Sequence, residues 1–464
     1  MKPGWLLPIF ATVAAPAAAQ DLTPAETARI NAIVAQSLAR TGVPSASVAI
    51  VRGGRIVFAK AYGKQSDTIP VARTDAKYPI ASVSKQFTAA AALLLEDEGK
   101  LSLDDTVAKY LPGISGGDRI TIRQLLSHTS GLQDYWPQDY SFAAMSNPTT
   151  PQGIIDRWAK NPLDFAPGTQ WQYSNTGYVV AGMIIEKVAG MPLLDFLRAR
   201  VFTPLGIAAI DQDLATGSGF PNGYHRYALG PVRVAQPAAP GWLYAAGELA
   251  MSASDLAKWD IARMNRTLLP ADDWAAQETP VRLPDGSTNG YGLGVYAKEQ
   301  DGHAYVEHSG EAVGFLSQNT VFPDDKAAVV VLVNGDFGDA QGKIASQIAA
   351  LILPPPTTIA TEATRAKQAR AIFDALRTGT LDRATMTDDA NYYFTPTALA
   401  DYKTSLAPLG EPRSFELVRP PRLRGGFVNR NYRVTFANRA VNVVTYAEPG
   451  EHGRYEQFLI MPGE

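Results

Sequence analysis

The sequence predicts an α/β domain whose strands are split around a large helical insert, followed by a smaller α+β domain. Between residues 24 and 351 the pattern runs helix, strands, a long stretch rich in Gly, Pro, Trp and Tyr, strands, helix. The run Leu353-Pro354-Pro355-Pro356 cannot continue a helix and favours extended backbone. Beyond it, an amphipathic helix pattern precedes several alternating apolar runs. The expected units are a leader over 1–19, a main domain over 20–353, a linker over 354–362 and an accessory domain over 363–464.

The first segment reads as an address. Lys2 supplies a charge, residues 5–13 an apolar stretch, and 14–19 a small-residue run with cleavage expected after Ala19. The apolar stretch is shorter than the roughly 20 residues that cross a bilayer as a helix. A periplasmic or secreted protein with no membrane span is therefore expected. Thr23 then caps a helix over 24–41, with Pro24 in its first turn and Gly42 beyond its end. Strands over 46–51 and 56–61 flank the turn Arg52-Gly53-Gly54. An apolar helix covers 82–98. Strands return at 291–296, 304–308, 315–322 and 327–332, and a helix over 340–351 closes the unit. In the accessory domain, a helix over 361–378 puts Ala369, Ile372, Phe373 and Leu376 on one side. A weaker helix covers 396–406, and 414–419, 431–438, 440–447 and 455–460 alternate as strands do.

Composition narrows the function. Of 464 residues, 46% are hydrophobic and 19% charged, which excludes wholesale disorder and a multi-span membrane protein. A net charge of -3 leaves no basic surplus for nucleic acid or anionic lipid. There is no cysteine, so disulfides, zinc–thiolate sites and cysteine nucleophiles are ruled out. Of the five histidines (His128, His225, His303, His308, His452), only His303 and His308 have the spacing of a local ligand pair. A histidine-rich metal site would need most of the five.

Three short motifs carry chemistry. In Ser82-Val83-Ser84-Lys85, a serine and a lysine three apart share one side of a helix. Ser82 falls at the helix start, where unpaired N–H groups suit a developing oxyanion. Burial and the same field push Lys85 toward its neutral form, able to take the Ser82 proton. An ordinary helix cap with a solvated lysine has the same four residues. Ser84 has no lysine three positions on. In Tyr173-Ser174-Asn175, a phenol near the lysine can relay a proton, and Asn175 can hold both the lysine and a substrate carbonyl; a turn with an aromatic plug reads the same way. In His308-Ser309-Gly310, followed by Glu311, a strand edge can offer the Glu311 amide as a second oxyanion donor beside that of Ser82. His308 can bond Tyr173 or a substrate carboxylate; the plainer alternative is a satisfied, partly buried histidine.

In that order, these motifs resemble the three catalytic motifs of the penicillin-recognising serine hydrolases, and in detail the class C beta-lactamase and DD-peptidase branch. Leu125-Leu126-Ser127-His128-Thr129-Ser130-Gly131-Leu132, Pro167-Gly168, Ala245-Ala246-Gly247 and Tyr291-Gly292-Leu293-Gly294 support the likeness, which covers roughly 22–353. The resemblance implies an antiparallel sheet flanked by helices, an all-helical lobe, and a site between them. It implies an acyl-enzyme on Ser82, proton transfer shared by Lys85 and Tyr173, and substrate contacts from Asn175, His308, Ser309, Gly310 and Glu311. The Ser82 and Glu311 amides would form the oxyanion hole, and the resemblance implies that neither a metal nor a cofactor is needed. The chain departs from the class C pattern, which carries Lys-Thr-Gly where His308-Ser309-Gly310 stands. That histidine resembles the DD-peptidases and D-amino-acid peptidases. Glu311 and Glu248 stand where small residues are usual, and carboxylates at the cleft edge would favour an amine over an anion.

The leading expectation is a secreted hydrolase of amide or peptide bonds, acting on D-residues. The alternatives are a carboxylesterase of the same fold, weak beta-lactam turnover, and a penicillin-binding sensor that is acylated without turnover. The accessory domain resembles a cystatin-like or nuclear-transport-factor-like cone, with a role in dimer or higher homo-oligomer contacts.

Overall fold

A computed structural model describes residues 21–463, apart from Asp139, Asp301 and 354–356, and gives no side-chain surroundings for 357–361. The expected leader and the proline run of the expected linker lie outside the described residues. The chain divides into two compact units, with the boundary after Leu353. Among the described residues, no helix is long and apolar enough to cross a membrane.

The first unit is organised on a six-stranded antiparallel sheet. Its strand order is Arg55–Gly63, Ser45–Arg52, Ala327–Val333, Phe315–Phe322, His303–Ala312, Tyr296–Gln300. The sheet is buried on both faces, so its central strands read as continuous apolar runs rather than alternating ones. Ala46, Val48, Ile50, Val329, Val331 and Val333 pack into one cluster with Ile30, Val34, Ile344 and Ile348 of the terminal helices. Ala49, Val51, Ala328, Val330 and Leu332 face the opposite way, into the larger core that holds the helical lobe. Each such valine, leucine or isoleucine side chain taken out of water stabilises the fold by about 1.5–3 kcal/mol.

The terminal helices follow their sequence signals closely. Helix Pro24–Thr41 opens with a reciprocal Thr23–Glu26 capping box and closes on left-handed Gly42. Helix Ala340–Ile352 packs beside it on the sheet. The expected 82–98 helix differs in its first turn. Ala81–Ser84 is a tighter 3₁₀ turn, and the α-helix runs Lys85–Asp97. The expected strand over 291–296 is also corrected. Gly294 takes a left-handed φ of +80°, and a Cβ there would sit 2.8 Å from the Lys85 carbonyl oxygen. Tyr291–Val295 is therefore a close-packed loop on helix Lys85–Asp97, and the strand starts only at Tyr296.

The second unit places helices Thr357–Thr378 and Pro396–Leu406 with an antiparallel sheet ordered Ser414–Leu417, Phe427–Thr435, Ala440–Ala447, Tyr455–Pro462. A short strand, Arg422–Arg424, pairs with Phe427–Thr435 across the Gly425-Gly426 turn. Ala369, Ile372, Phe373 and Leu376 are buried against the sheet, with Tyr432, Val434, Val443 and Phe458.

Candidate active site

Ser82 sits in the 3₁₀ turn between the short strand Tyr78–Pro79 and the helix that begins at Lys85. Three contacts hold this turn. The Ile80 amide donates to the Leu249 carbonyl (2.9 Å), Ser317 Oγ donates to the Ile80 carbonyl (2.8 Å), and the Leu249 amide donates to Ser84 Oγ (3.2 Å). Ser84 is thereby buried and occupied, which removes it as a rival nucleophile. Ala81, just before Ser82, takes a φ of +48°, an uncommon conformation for a residue with a Cβ.

The geometry around Lys85 is specific. Its Nζ lies 3.0 Å from Ser82 Oγ, 2.8 Å from Asn175 Oδ1 and 2.7 Å from the Ala246 carbonyl oxygen. The Ala246 oxygen is purely an acceptor. Asn175 is oriented by Asp134, whose carboxylate accepts from Asn175 Nδ2 (3.2 Å) and from the Asn175 amide (3.1 Å). A carboxylate only accepts, so the Asn175 oxygen must face Lys85. A neutral amine would spend its two hydrogens on these acceptors and turn its lone pair to the Ser82 hydroxyl. Lys85 is fully buried, and that desolvation brings its pKa from the ordinary 10.5 down to about 7, partly offset by the Asp134 charge.

Tyr173 leans over the same lysine, with Nζ 4.9 Å from the ring centroid. Burial holds the phenol well above its ordinary pKa, with the nearby Ser82 hydroxyl a smaller opposing effect. Tyr173 is thus a neutral phenol near pH 7. Behind it, His128 stacks at 4.2 Å and accepts the Ser174 amide on Nδ1 (3.1 Å). His128 takes a φ of +61°, and burial keeps it neutral.

The third motif lies on strand His303–Ala312. His308 does not bond Tyr173, because both of its ring nitrogens have other partners. Its Nε2 meets the Tyr291 hydroxyl at 3.0 Å, and its Nδ1 meets the Ser309 carbonyl at 2.5 Å. Burial, with Lys85 adding repulsion, lowers its pKa to about 3. Gly310 is required by packing, because a Cβ there would strike the Ile80 carbonyl oxygen and Ser317 Oγ. The missing side chain lets the strand press against the backbone leading into Ser82.

A cleft of about 450 Å³ gathers Ser82, Asp134, Trp136, Tyr173, Asn175, His308, Ser309 and Glu311 on its walls. Lys85 and Gly310 lie behind that wall. Glu248 is not at the cleft edge. It is buried, and burial, then repulsion from Asp211, Glu186 and Asp213, raises its carboxyl to about 8. Sequence reasoning missed Asp134 and the Tyr291 bond to His308, and used His128 only as part of a supporting stretch. Among the described residues, no group of three or more His, Asp or Glu is placed to hold a metal ion.

A family profile described as beta-lactamase matches residues 30–353. The chain is similar, at 30% identity over 308 residues, to a penicillin-binding protein of Bacillus subtilis, covering 62% of this chain and 67% of that protein. It is also 30% identical over 331 residues to a D-aminopeptidase of Brucella canis, covering 69% of this chain. The match spans only 62% of that aminopeptidase's own length. A solved structure of a D-stereospecific amidohydrolase from Streptomyces superposes with a TM-score of 0.59 at 31% identity, over 68% of this chain and 96% of that one.

Proposed function

The chain belongs to the beta-lactamase family of serine hydrolases, and from that premise we propose that it hydrolyses amides of D-amino acids, or short peptides that begin with one, through an acyl-enzyme on Ser82. The observation that carries the reading is the Lys85 amine, buried, poised near neutrality and 3.0 Å from the Ser82 hydroxyl. Lys85 takes the Ser82 proton as Oγ bonds to the substrate carbonyl carbon. The carbonyl oxygen becomes an oxyanion, held by the Ser82 and Glu311 amides. Tyr173, kept as a neutral phenol, passes a proton to the departing nitrogen as the C–N bond breaks, and is reprotonated from Lys85. Water then attacks the ester, Lys85 again takes the proton, and the carboxylic acid leaves with Ser82 restored.

The choice of substrate rests on two supports. The relatives named for an activity are a D-aminopeptidase and a D-stereospecific amidohydrolase. Glu311 and Asp134 line the cleft, and carboxylates there favour a substrate bearing an ammonium group. The charged, apolar and small-residue order of residues 1–19 supports export to the periplasm or medium.

The test is intact-mass spectrometry after treatment with a neutral fluorophosphonate, alongside turnover of paired D- and L-amino-acid amides and esters. One adduct, absent from Ser82→Ala, and faster turnover of the D-amide are expected. A Ser82→Ala enzyme that still turns over amides would refute the acyl-enzyme. A preference for the L-amide, or for esters alone, would overturn the substrate.

A further inference from the structure

The accessory unit buries more positive charge than it neutralises. Arg365, on helix Thr357–Thr378, has no exposed surface. Only one of its three nitrogens has a hydrogen-bond acceptor. Nη1 donates to Gln368 Oε1 (3.0 Å) and to the carbonyls of Gly453 (2.6 Å) and Glu451 (3.4 Å). Nε and Nη2 have no partner among the described residues. Those two atoms form the edge of a guanidinium that grips a carboxylate or phosphate with two parallel bonds. The face of the same group lies 4.7 Å from the Tyr455 ring centroid.

The neighbours do not supply the missing acceptor. Glu362, one turn earlier on the helix, gives both oxygens to Arg430, at 2.6 Å from Nε and 2.6 Å from Nη2. Arg430 is itself buried, and its Nη1 is unpartnered. Two residues along the same strand, on the same face, Tyr432 is buried with an unpartnered hydroxyl. Arg365, Arg430 and Glu362 all act electrostatically on Tyr432. Glu448 also acts electrostatically on Arg365, but its carboxylate is held by Arg454. The cluster therefore holds two cations against one carboxylate of its own, together with four unpartnered polar atoms that can all donate. Water could satisfy hydrogen bonds there but not the charge, and a buried unpaired cation is strongly unfavourable. A cavity of about 460 Å³ is lined by Gln368 and Gly453, which accept from Arg365 Nη1, and by Tyr455, whose ring faces the guanidinium, while Arg365, Arg430 and Tyr432 themselves are not on its wall.

We propose that the accessory unit is a receptor for a small oxyanion, the carboxylate or phosphate group of a ligand, gripped by the free edge of Arg365 and by the Arg430 and Tyr432 donors. The site is separate from Ser82 and does not depend on the catalytic reading. The test is titration calorimetry on the full chain, exhaustively dialysed, with inorganic phosphate and with acetate at constant ionic strength set by chloride. Saturable binding of one phosphate or acetate per chain is expected. Arg365→Met should abolish it, and Tyr432→Phe, which keeps the ring, should weaken it about tenfold, both without change in Ser82 labelling. Should Arg365→Met not fold, the Tyr432→Phe shift decides. Binding of acetate as well as phosphate assigns a carboxylate ligand, and phosphate alone a phosphoryl one. No saturable binding of either probe, or binding that Tyr432→Phe leaves unaltered, overturns the proposal.

Discussion

If Lys85 is the base, the reactivity of Ser82 must follow the charge on one buried amine. An ordinary lysine with a pKa near 10.5 is neutral in about one molecule in 3,000 at pH 7. Burial brings Lys85 down to about 7, so that about half the molecules carry the free amine. The gain in competent base is about a thousandfold, with nothing changed but solvent access. Between pH 6 and 8 the neutral fraction climbs from about 0.09 to about 0.91, so the rate should rise about tenfold and then level. The clean assay is the second-order rate of Ser82 labelling by an uncharged fluorophosphonate, which has no titrating group of its own. Lys85→Arg keeps the charge but cannot lose its proton in this range, and should lower the rate by about 10²–10⁴. Asp134→Asn removes the carboxylate that offsets burial, so it should move the rising limb to lower pH. A flat profile from pH 6 to 8, or a limb that moves upward in Asp134→Asn, would refute the assignment of Lys85 as base.

Three other consequences can be measured. Glu248 has its carboxyl raised from 4.5 to about 8, so its contribution is fully present below pH 4.5 and is lost as pH rises through about 8. Urea unfolding should show stability falling over that window by an amount on the order of 5 kcal/mol, and Glu248→Gln should remove most of the slope; an unchanged slope sinks the claim. Gly310→Ala should cost about 2 kcal/mol or more, by driving a methyl into the Ile80 carbonyl, and should slow Ser82 labelling at least tenfold; normal labelling would show that the strand can retreat harmlessly. Trp136 and Leu243 line both the Ser82 cleft and a neighbouring cavity of about 480 Å³ that includes Asp213. Trp136→Ala should join the two and raise turnover of substrates with long acyl chains relative to short ones, whereas an unaltered ratio means that the second cavity does not serve this substrate.

Local chemistry was the readable part of the site. Ser82 and Lys85 are one helical turn apart, so their approach follows from spacing alone, and Tyr173 and Asn175 share one turn into a helix. Asp134 was not legible. It stands 41 residues before Asn175 in a loop with no motif, and its importance exists only once the chain has folded. The Tyr291 contact was hidden by a wrong strand boundary: the apolar run over 291–296 looks extended, but Gly292 and Gly294 let it dock on other backbone. Glu248 misled in the opposite direction. Its place next to Gly247 suggested a cleft residue, yet the short helix Tyr244–Gly247 turns it inward. In the accessory unit the helix and the alternating strands were plain, whereas Arg422–Arg424 was missed because all three of its residues are exposed and carry no apolar pattern.

The groups around Ser82 share one physical treatment. Burial is the first cause that lowers Lys85, His128 and His308, and the first cause that raises Tyr173 and Tyr291. Near pH 7 the histidines and phenols of this cluster are neutral, and Lys85 alone is balanced between its two forms. A proton moving from Ser82 to Lys85 therefore creates the one new cation in the cluster, 2.8 Å from the Asn175 oxygen that Asp134 holds in place. The neutral histidines matter because a charged His308 or His128 would repel that cation and hold Lys85 deprotonated, and so make it a weaker base. The hydrogen bond from Tyr291 has a second use. It satisfies His308 Nε2 without giving it a proton to release, so the imidazole can orient the Ser309–Glu311 edge while staying out of the proton traffic. Replacing Tyr291 by Phe would leave that nitrogen buried and unpaired, a cost of about 1–3 kcal/mol. It would act on the strand edge proposed to bind substrate rather than on Lys85. The expected signature is a raised KM with the pH limb of Ser82 labelling unmoved, and a displaced limb would place His308 in the proton path after all.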